Sequence, residues 1–162
     1  MGRPVRFVEA DKYYFITNRC VMGLFAMRPD DEARRIIKGC LARAADKHDV
    51  ELVCFMFMSN HFHLIARFPD RTLSEFMCEF QTQISNRLND YRGRSGSLFP
   101  ERFDAKALLD EKAVREKVCY TLNNPVRAGL VRQASNWPGV SSMEEHLDEW
   151  FDTHPTGEES IP

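Results

Sequence analysis

The 162-residue chain is predicted to be an α+β domain, a ferredoxin-like sandwich with helices on one face of an antiparallel sheet. Segments with the two-residue period of strands and segments with helical period follow one another in the order β-α-β-β-α-β-α. The composition is 43% hydrophobic and 28% charged, as in ordinary globular proteins. The length fits one domain over residues 1–142, followed by an acidic tail over residues 143–162.

A strand and a helix are predicted first. The segment YYFITNRC (13–20) is rich in β-branched and aromatic residues, which favour strands. A helix is expected over residues 29–49, with Asp30 or Asp31 as its N-terminal cap. Its apolar residues repeat at helical spacing and form one stripe: Ala33, Ile36, Ile37, Cys40, Leu41 and Ala44.

A β-hairpin and a second helix are predicted next. VELVCFMFM (50–58) and HFHLIARF (61–68) both have strand character, and only a short Ser-Asn turn separates them. The helix is expected over residues 72–93 and begins with a capping box between Thr72 and Glu75. Its apolar stripe consists of Leu73, Phe76, Met77, Phe80, Ile84 and Leu88.

The last predicted elements are a strand, a helix and a terminal segment. RFDAKALL (102–109) follows the basic loop RGRSGS and predicts a fourth strand. A helix should start near Asp110 and run toward Pro125, with an apolar stripe of Val114, Val118, Thr121 and Leu122. The segment over residues 136–151 is expected to form a turn and a short helix that cover a sheet edge.

Charge is distributed unevenly along the chain. Residues 143–162 contain seven acidic and no basic residues, whereas residues 1–142 contain 22 basic and 17 acidic residues, a net charge of +5. A basic body is compatible with a polyanionic partner, although many soluble enzymes share this feature. The acidic tail is expected to be solvated, and partly disordered or a short helix.

Several classes of protein are not expected. No apolar run of about 18 residues occurs, so no membrane span is predicted. The N-terminus has no apolar core of a signal peptide. The five cysteines form no CxxC pair, which favours reduced, mostly buried thiols in the cytoplasm over a cysteine-based zinc site.

Two histidines interrupt an otherwise apolar stretch, FMFMSNHFHLIARFPD (55–70). Residues two apart on a strand project from the same face, so His61 and His63 lie on one side and Phe62 on the other. Two imidazoles so placed can share a divalent cation, or they can be partly exposed histidines with satisfied hydrogen bonds. A histidine-triad hydrolase would need a third histidine at Ile65, and a zinc hydrolase would need further ligands.

The last predicted helix carries a phenol and a carboxamide. Tyr120 and Asn124 are four residues apart and lie away from the apolar stripe, so they share one helix face. They either pack at a boundary and cap the helix before Pro125, or they complete a site with the histidine pair. In the second case a metal would polarise a phosphodiester close to a phenol, which needs such help, or a neighbouring base, to attack at neutral pH.

Four segments resemble the motifs of a known family. MSNHFHLIAR is similar to MPNHxHLL, SLFPERFDAKALLDE to xWQxRFxDxxIxDE, VCYTLNNPVRAGLV to xxYIxxNPVxAGLV, and NWPGVSS to YPWSS. In this order, over about residues 4–142, they resemble the motifs of single-tyrosine HUH transposases. The chain most closely resembles the REP-associated tyrosine transposases, which are bacterial, so a bacterial cytoplasmic location is expected. The chain departs from the family pattern at Ser59, where the family has a proline, and at Leu98–Phe99, in the tryptophan region. It is also less basic than many of these relatives, and none of the three departures removes a catalytic group.

The resemblance implies a reaction and a role for each matched residue. Members of the family cut single-stranded DNA, join the tyrosine to the 5′ phosphate and free a 3′-OH, and a second 3′-OH can reverse the step. Tyr120 matches the nucleophile, His61 and His63 match two metal ligands, and Asn124 matches the third. Mg²⁺ or Mn²⁺ is the expected metal. No ATP is needed, because the phosphotyrosine bond conserves the energy of the cleaved bond.

Basic and aromatic residues around the 91–103 loop are expected to contact DNA, because cations bind phosphates and rings stack on unpaired bases. A solvated charged loop is the alternative. The candidates are Arg87, Tyr91, Arg92, Arg94, Arg102, Phe103 and, just beyond the third ligand, Arg127. In the resembled group the substrate is an imperfect hairpin with a short single-stranded flank, so single-stranded or hairpin DNA is the expected partner.

Three functions remain open on the sequence. The first is an active single-strand DNA endonuclease and strand transferase, and the second is a domesticated hairpin-binding protein with little or no transposition. The third is an unrelated domain with a coincidental H-x-H pattern. The four matched catalytic positions favour the first. A homodimer and a monomer are both open, because mobile-element members exchange the tyrosine helix between subunits, whereas the REP-associated relatives are expected to act as monomers.

Overall fold

The computed structural model describes residues 6–143 and consists of a four-stranded antiparallel sheet with helices on both faces. The sheet order is β2-β3-β1-β4, which confirms the predicted α+β sandwich. The strands are β1 (Tyr13–Arg19), β2 (Glu51–Phe57), β3 (His61–Arg67) and β4 (Asp104–Leu108). The helices are α1 (Asp31–Lys47), α2 (Leu73–Arg92), α3 (Glu111–Leu122) and α4 (Asn124–Arg127). Of the segment predicted as an acidic tail (143–162), only Met143 is among the described residues.

The main core lies between one face of the sheet and the pair α1 and α2. Alternate residues of β3 contribute Phe62, Leu64 and Ala66, all fully buried, as the strand period requires. The Phe62 ring lies 5.7 Å from the Phe80 ring of α2 and 5.5 Å from that of Phe99, measured between centroids. These aromatic contacts hold β3 in place, and with it the two histidines that flank Phe62.

The N-terminal ends of α1 and α2 are capped differently. Asp30 caps α1, since its side chain accepts a hydrogen bond from the Ala33 amide at 2.8 Å. The capping box predicted at Thr72 is wrong, because the Thr72 hydroxyl donates to the carbonyl of His48 at 2.9 Å instead. The Thr72 hydroxyl therefore bonds to the segment that precedes β2, although the local sequence pattern assigns it to the start of α2.

The helices cover both faces of the sheet, whereas the sequence predicted them on one. A second apolar cluster lies opposite the main core and contains Phe15, Cys54, Ile65 and Leu108. The apolar stripe of α3 packs on it, with Val114 contributing at the helix start and further residues along the same side. The face of β3 that carries His61 and His63 is therefore the face on which α3 lies.

The segment after the last helix protects the open edge of β2, as predicted. The Ser142 amide donates to the carbonyl of Phe55, and the Phe55 amide donates to the Ser142 hydroxyl, both at 3.0 Å. The Phe57 amide donates to the carbonyl of Val140, and the Trp137 indole donates to the carbonyl of Phe57. These bonds satisfy backbone groups that an edge strand would otherwise expose to another chain.

Two further expectations concern the class of protein. None of the helices in residues 6–143 has both the length and the apolar character that a bilayer crossing requires. The five cysteines are free thiols; Cys20, Cys40 and Cys54 are buried, whereas Cys78 and Cys119 are exposed.

The Ser142→Ala variant tests the edge cover. It leaves the buried Phe55 amide without its acceptor, and we expect it to lower the free energy of unfolding by about 1–3 kcal/mol. Urea denaturation followed by circular dichroism measures the change. Ser135→Ala, at an exposed position of the same segment, is the control and should have almost no effect. Equal stability of the two variants would contradict a structural role for this edge contact.

Candidate active site

Strand pairing gathers polar residues at one end of the sheet. In the register of β1 and β3, Arg19 lies opposite His61 and Thr17 lies opposite His63. On its other side β1 pairs with β4, where Thr17 lies opposite Asp104. Because facing residues of paired strands project to the same side, all five side chains belong to the face that α3 covers. The H-x-H pattern thus becomes part of a patch built from three strands.

The His63 imidazole is buried and neutral. It is 6% exposed and stacks on the Phe15 ring, with 5.6 Å between ring centroids. Its pKa is lowered to about 4, chiefly by burial and to a smaller extent by the nearby charges of His61, Lys117 and Arg19. His63 Nδ1 is buried and has no hydrogen-bond partner among the described residues. The imidazole therefore keeps a lone pair at neutral pH, as a metal ligand must.

The lone pair of His63 is directed at Asn124. Nε2 of His63 lies 3.1 Å from Nδ2 of Asn124, which donates to it and leaves the ring proton on Nδ1. A half-turn of the amide exchanges Nδ2 and Oδ1, so either atom can occupy this position. Asn124 thus places a possible oxygen ligand beside the ligating nitrogen of a neutral histidine.

His61 is oriented by the residue before it. Its Nδ1 lies 2.7 Å from the side-chain oxygen of Asn60, so Nδ1 donates and Nε2 carries the lone pair. Burial lowers the pKa of His61, the charge of Arg19 lowers it further, and a hydrogen bond with Asn124 opposes the change. The rings of His61 and His63 are perpendicular, with centroids 5.1 Å apart.

Tyr120 and Asn124 meet the histidines from the other side of the cavity. The structure corrects one detail of the prediction, since α3 ends at Leu122 and Asn124 begins the separate short helix α4. The Tyr120 ring lies edge-on to His63, with 5.7 Å between centroids, and edge-on to Phe15 at 6.0 Å. Although the helix is interrupted between α3 and α4, Tyr120 and Asn124 still line the same cavity.

A cavity of about 330 Å³ joins these groups. Its lining includes all four residues predicted from the sequence as catalytic or metal-ligating: Tyr120, His61, His63 and Asn124. The rest of the lining consists of Thr17, Asn18, Arg19, Arg102 and Asp104. Of these, sequence reasoning found only Arg102, because the others reach the site through strand register, which a single sequence does not reveal.

Two cations flank the Tyr120 ring. Lys117 Nζ lies 5.0 Å from its centroid and 4.7 Å from that of Phe15, and the Arg127 guanidinium carbon lies 5.1 Å from the Tyr120 centroid. Among the described residues, neither cation has a carboxylate partner within salt-bridge distance, unlike Arg115, which pairs with Glu111. Lys117 was missed in the sequence, where it looks like any surface lysine of an amphipathic helix.

The residues predicted to contact DNA are dispersed. Arg102 lines the cavity and Arg127 touches Tyr120. Arg94 lies outside it and donates to Asn89 at 2.9 Å, beside a polar groove along α2. Arg87 is an exposed residue of α2, on the opposite side of the sheet from α3.

Three of the predicted DNA contacts are structural in this conformation. Arg92 forms a salt bridge of 2.7 Å with Asp30 and donates to the carbonyls of Ala26 and Arg28, so it ties α2 to the start of α1. The Tyr91 hydroxyl also donates to Asp30. Phe103 is 9% exposed and has the Arg6 guanidinium over its ring at 4.1 Å, so no face is open to a base.

The donor set fits a hard divalent cation with few protein ligands. Two neutral imidazoles and one carboxamide converge, and residues 6–143 contain no group of three or more His, Cys, Asp or Glu side chains that would suit a structural zinc ion. Asn60 supplies the outer hydrogen bond that ligating histidines commonly have. His63 Nδ1 lacks such a partner among the described residues.

The fold is similar to that of a tyrosine transposase of known structure. A REP-associated tyrosine transposase bound to a REP hairpin superposes with a TM-score of 0.76 and 21% sequence identity, over 99% of this chain and 94% of that chain. At this identity the likeness establishes the fold. That neighbour bears the name of the family that the sequence motifs resemble.

A second solved structure is less similar. A protein provisionally assigned as a transposase, from Deinococcus radiodurans R1, is 17% identical over 76% of this chain and 97% of its own, with a TM-score of 0.46. No protein-family model and no curated protein sequence matches the chain.

The titration of His63 tests the electrostatics of the cavity. In metal-free protein we expect its imidazole to protonate near pH 4, which NMR of the ring protons measures. The unfolded chain binds this proton near pH 6.5, so stability falls as the pH decreases from 6.5 to 4, by at most about 3 kcal/mol. His63→Asn should lose this part of the acid sensitivity. A midpoint above pH 6 would contradict the buried, cation-flanked environment.

Proposed function

We propose that the chain is a metal-dependent single-strand DNA endonuclease and strand transferase of the transposase type, which cleaves beside DNA hairpins. One observation carries the proposal: Tyr120, His61, His63 and Asn124 line one cavity, although they come from separate parts of the chain. The fold shared with a tyrosine transposase adds support. A coincidental H-x-H would not require a tyrosine and a carboxamide at the same place.

In the proposed reaction the Tyr120 oxygen attacks the phosphorus of a phosphodiester. The bond between phosphorus and the 3′ oxygen breaks, and that oxygen takes up a proton to leave as a 3′-OH. The phenol proton passes to solvent or a base, and the 5′ phosphate remains on Tyr120. Attack by another 3′-OH reverses the sequence and releases the phenol. The number of phosphoester bonds is constant, so no external energy source is required.

The residues around Tyr120 suit this chemistry. Phe15 and His63 contact its ring edge-on and restrict its position, which favours a single direction of attack. Lys117 and Arg127 flank the ring and would stabilise the negative charge that an attacking phenolate carries. In the cavity, Arg19 and Arg102 supply positive charge for the phosphate oxygens of the strand.

The proposed cofactor is Mg²⁺ or Mn²⁺. His61, His63 and Asn124 would hold it, with nitrogen and oxygen donors that such ions accept. When bound, the ion would polarise the scissile phosphate and stabilise charge on the reacting oxygens. The contribution of the protein is to keep both imidazoles neutral and to fix the ring of His61 through Asn60.

The proposed substrate is a hairpin with a single-stranded flank. The structural neighbour is bound to a REP hairpin, and this chain matches it over nearly its full length. Within the described residues, α3 packs on the sheet of its own chain, so one chain contains both the tyrosine and the histidines. We therefore propose a single chain as the unit that cuts.

The Tyr120→Phe variant tests the nucleophile. Wild-type protein incubated with Mn²⁺ and 3′-labelled single-stranded DNA from the flanks of its own gene should give a covalent adduct on a denaturing gel. Tyr120→Phe should give none, because it lacks the attacking oxygen. With a 5′-labelled strand, the wild-type protein should instead release a shorter labelled fragment that is not attached to protein.

Tyr91→Phe is the matched control. Tyr91 is an exposed tyrosine whose hydroxyl donates a hydrogen bond to Asp30, and it does not line the cavity. It should form the adduct as the wild type does. An adduct that survives in Tyr120→Phe would reject the assigned nucleophile. DNA binding without any adduct would instead favour the domesticated hairpin-binding protein.

The Asn60→Ala variant tests the orientation of His61. Loss of the hydrogen bond to Nδ1 should weaken Mn²⁺ binding by about 10- to 100-fold, as measured by isothermal titration calorimetry. Asn136→Ala, which changes an exposed asparagine in the segment after α4, should bind Mn²⁺ as the wild type does. Unchanged affinity in Asn60→Ala would show that His61 is not a ligand held by this contact.

A further inference from the structure

The loop between β1 and α1 exposes two large apolar side chains. Met22 is fully exposed and Phe25 is 65% exposed. The stretch from Arg19 to Arg28, RCVMGLFAMR, contains no acidic residue and has an arginine at each end. Both arginines are exposed. An apolar surface bounded by cations is thus open to solvent.

The backbone of this loop is fixed at several points. The Cys20 amide donates to the carbonyl of Asn60 at 2.8 Å, and the Met27 amide donates to the carbonyl of Ser59 at 2.9 Å. The Val21 amide donates to the carbonyl of Leu98 at 2.8 Å. The loop is therefore anchored on the turn before His61, and the exposure of its apolar side chains is a property of an ordered structure.

Met22 is held outward at a conformational cost. Its φ of 50° lies in the left-handed region that residues other than glycine rarely adopt, and Gly23 follows with a φ of 68°. An asparagine or glycine would occupy the position of Met22 with less strain. The chain instead has a long apolar side chain there, with nothing in the described part of the protein to cover it.

The loop adjoins the cavity. Asn60 donates from Nδ2 to the carbonyl of Gly23 at 3.3 Å, and its Oδ1 accepts from His61. Arg19, at the start of the loop, lines the cavity itself. A DNA strand that entered the cavity on the side of Arg19 would pass next to this loop.

We propose that Met22 and Phe25 form a platform on which unpaired bases of the DNA strand stack, next to the phosphate that is cut. This inference rests on the proposed function, because it assumes that the strand enters the cavity. Flat bases pack on aromatic rings and thioethers, whereas the neighbouring arginines attract the phosphates between them. A loop that exposes apolar side chains between two arginines, with no acidic residue in the stretch, matches single-stranded DNA.

The test compares a strand that has bases with one that lacks them. Wild-type protein should bind fluorescein-labelled oligothymidine of 15 nucleotides about 10- to 100-fold more tightly than an abasic strand of equal length and charge. The double variant Met22→Asn, Phe25→Ser should lose most of this preference. Asn tolerates the left-handed backbone, so the loop should keep its shape. The salt dependence of binding should not change, because no cation is removed.

Leu109→Ser is the matched control. Leu109 is 76% exposed and follows β4 at the end of the sheet away from the cavity. It should keep the preference for bases. The proposal is overturned if the wild type does not distinguish the two strands, or if the double variant distinguishes them equally well.

Two further outcomes separate the alternatives. If light scattering shows a dimer that the double variant converts to a monomer, the surface is a contact between copies of this chain and the platform is rejected. The adduct assay tests the nuclease independently. If the protein prefers strands with bases but forms no adduct, the platform is retained and the cleavage reaction is rejected. If the protein forms the adduct but shows no preference for bases, the cleavage reaction is retained and the platform is rejected.

Discussion

The antiparallel register of β1 and β3 is the constraint on which the rest of the structure depends. With Arg19 opposite His61, the residues of β3 alternate between core and cavity. A shift by one residue would move both imidazoles into the main core and expose Phe62, because side chains alternate between faces. The buried aromatic contacts of Phe62 with Phe80 and Phe99 oppose such a shift. Packing on one face thus fixes the chemistry on the other.

The cavity does not serve the stability of the fold. Its buried histidine has a nitrogen without a partner among residues 6–143, and cations lie close to two imidazoles. Both features disfavour the protonated ring, and a nitrogen without a partner in a buried site costs free energy. Such costs are typical of sites shaped for binding, where neutral imidazoles are needed. The large apolar core on the other face offsets them.

Periodic and local features of the fold were predictable from the sequence, whereas tertiary choices were not. The alternation in β3 identified His61 and His63, and spacing paired Tyr120 with Asn124. Thr72 departs from its capping pattern because His48, distant in sequence, accepts from it. Arg92 and Phe103 suit DNA by residue type, but an ion pair with Asp30 and a buried position use them structurally. The place of α3 on the second face also depends on contacts that no local pattern encodes.

Asn60 couples two surfaces that would otherwise vary independently. Its oxygen orients His61 and its nitrogen holds the carbonyl of Gly23, so one carboxamide sets both a candidate ligand and the loop beside it. A displacement of the loop that broke the bond to Gly23 would free the amide to rotate. His61 would then lose the partner that selects its tautomer. A DNA strand that steadied the loop would also steady the ring of His61, because Asn60 bonds to both. Contact with the substrate and the geometry of a candidate ligand are thus linked through the side chain of Asn60.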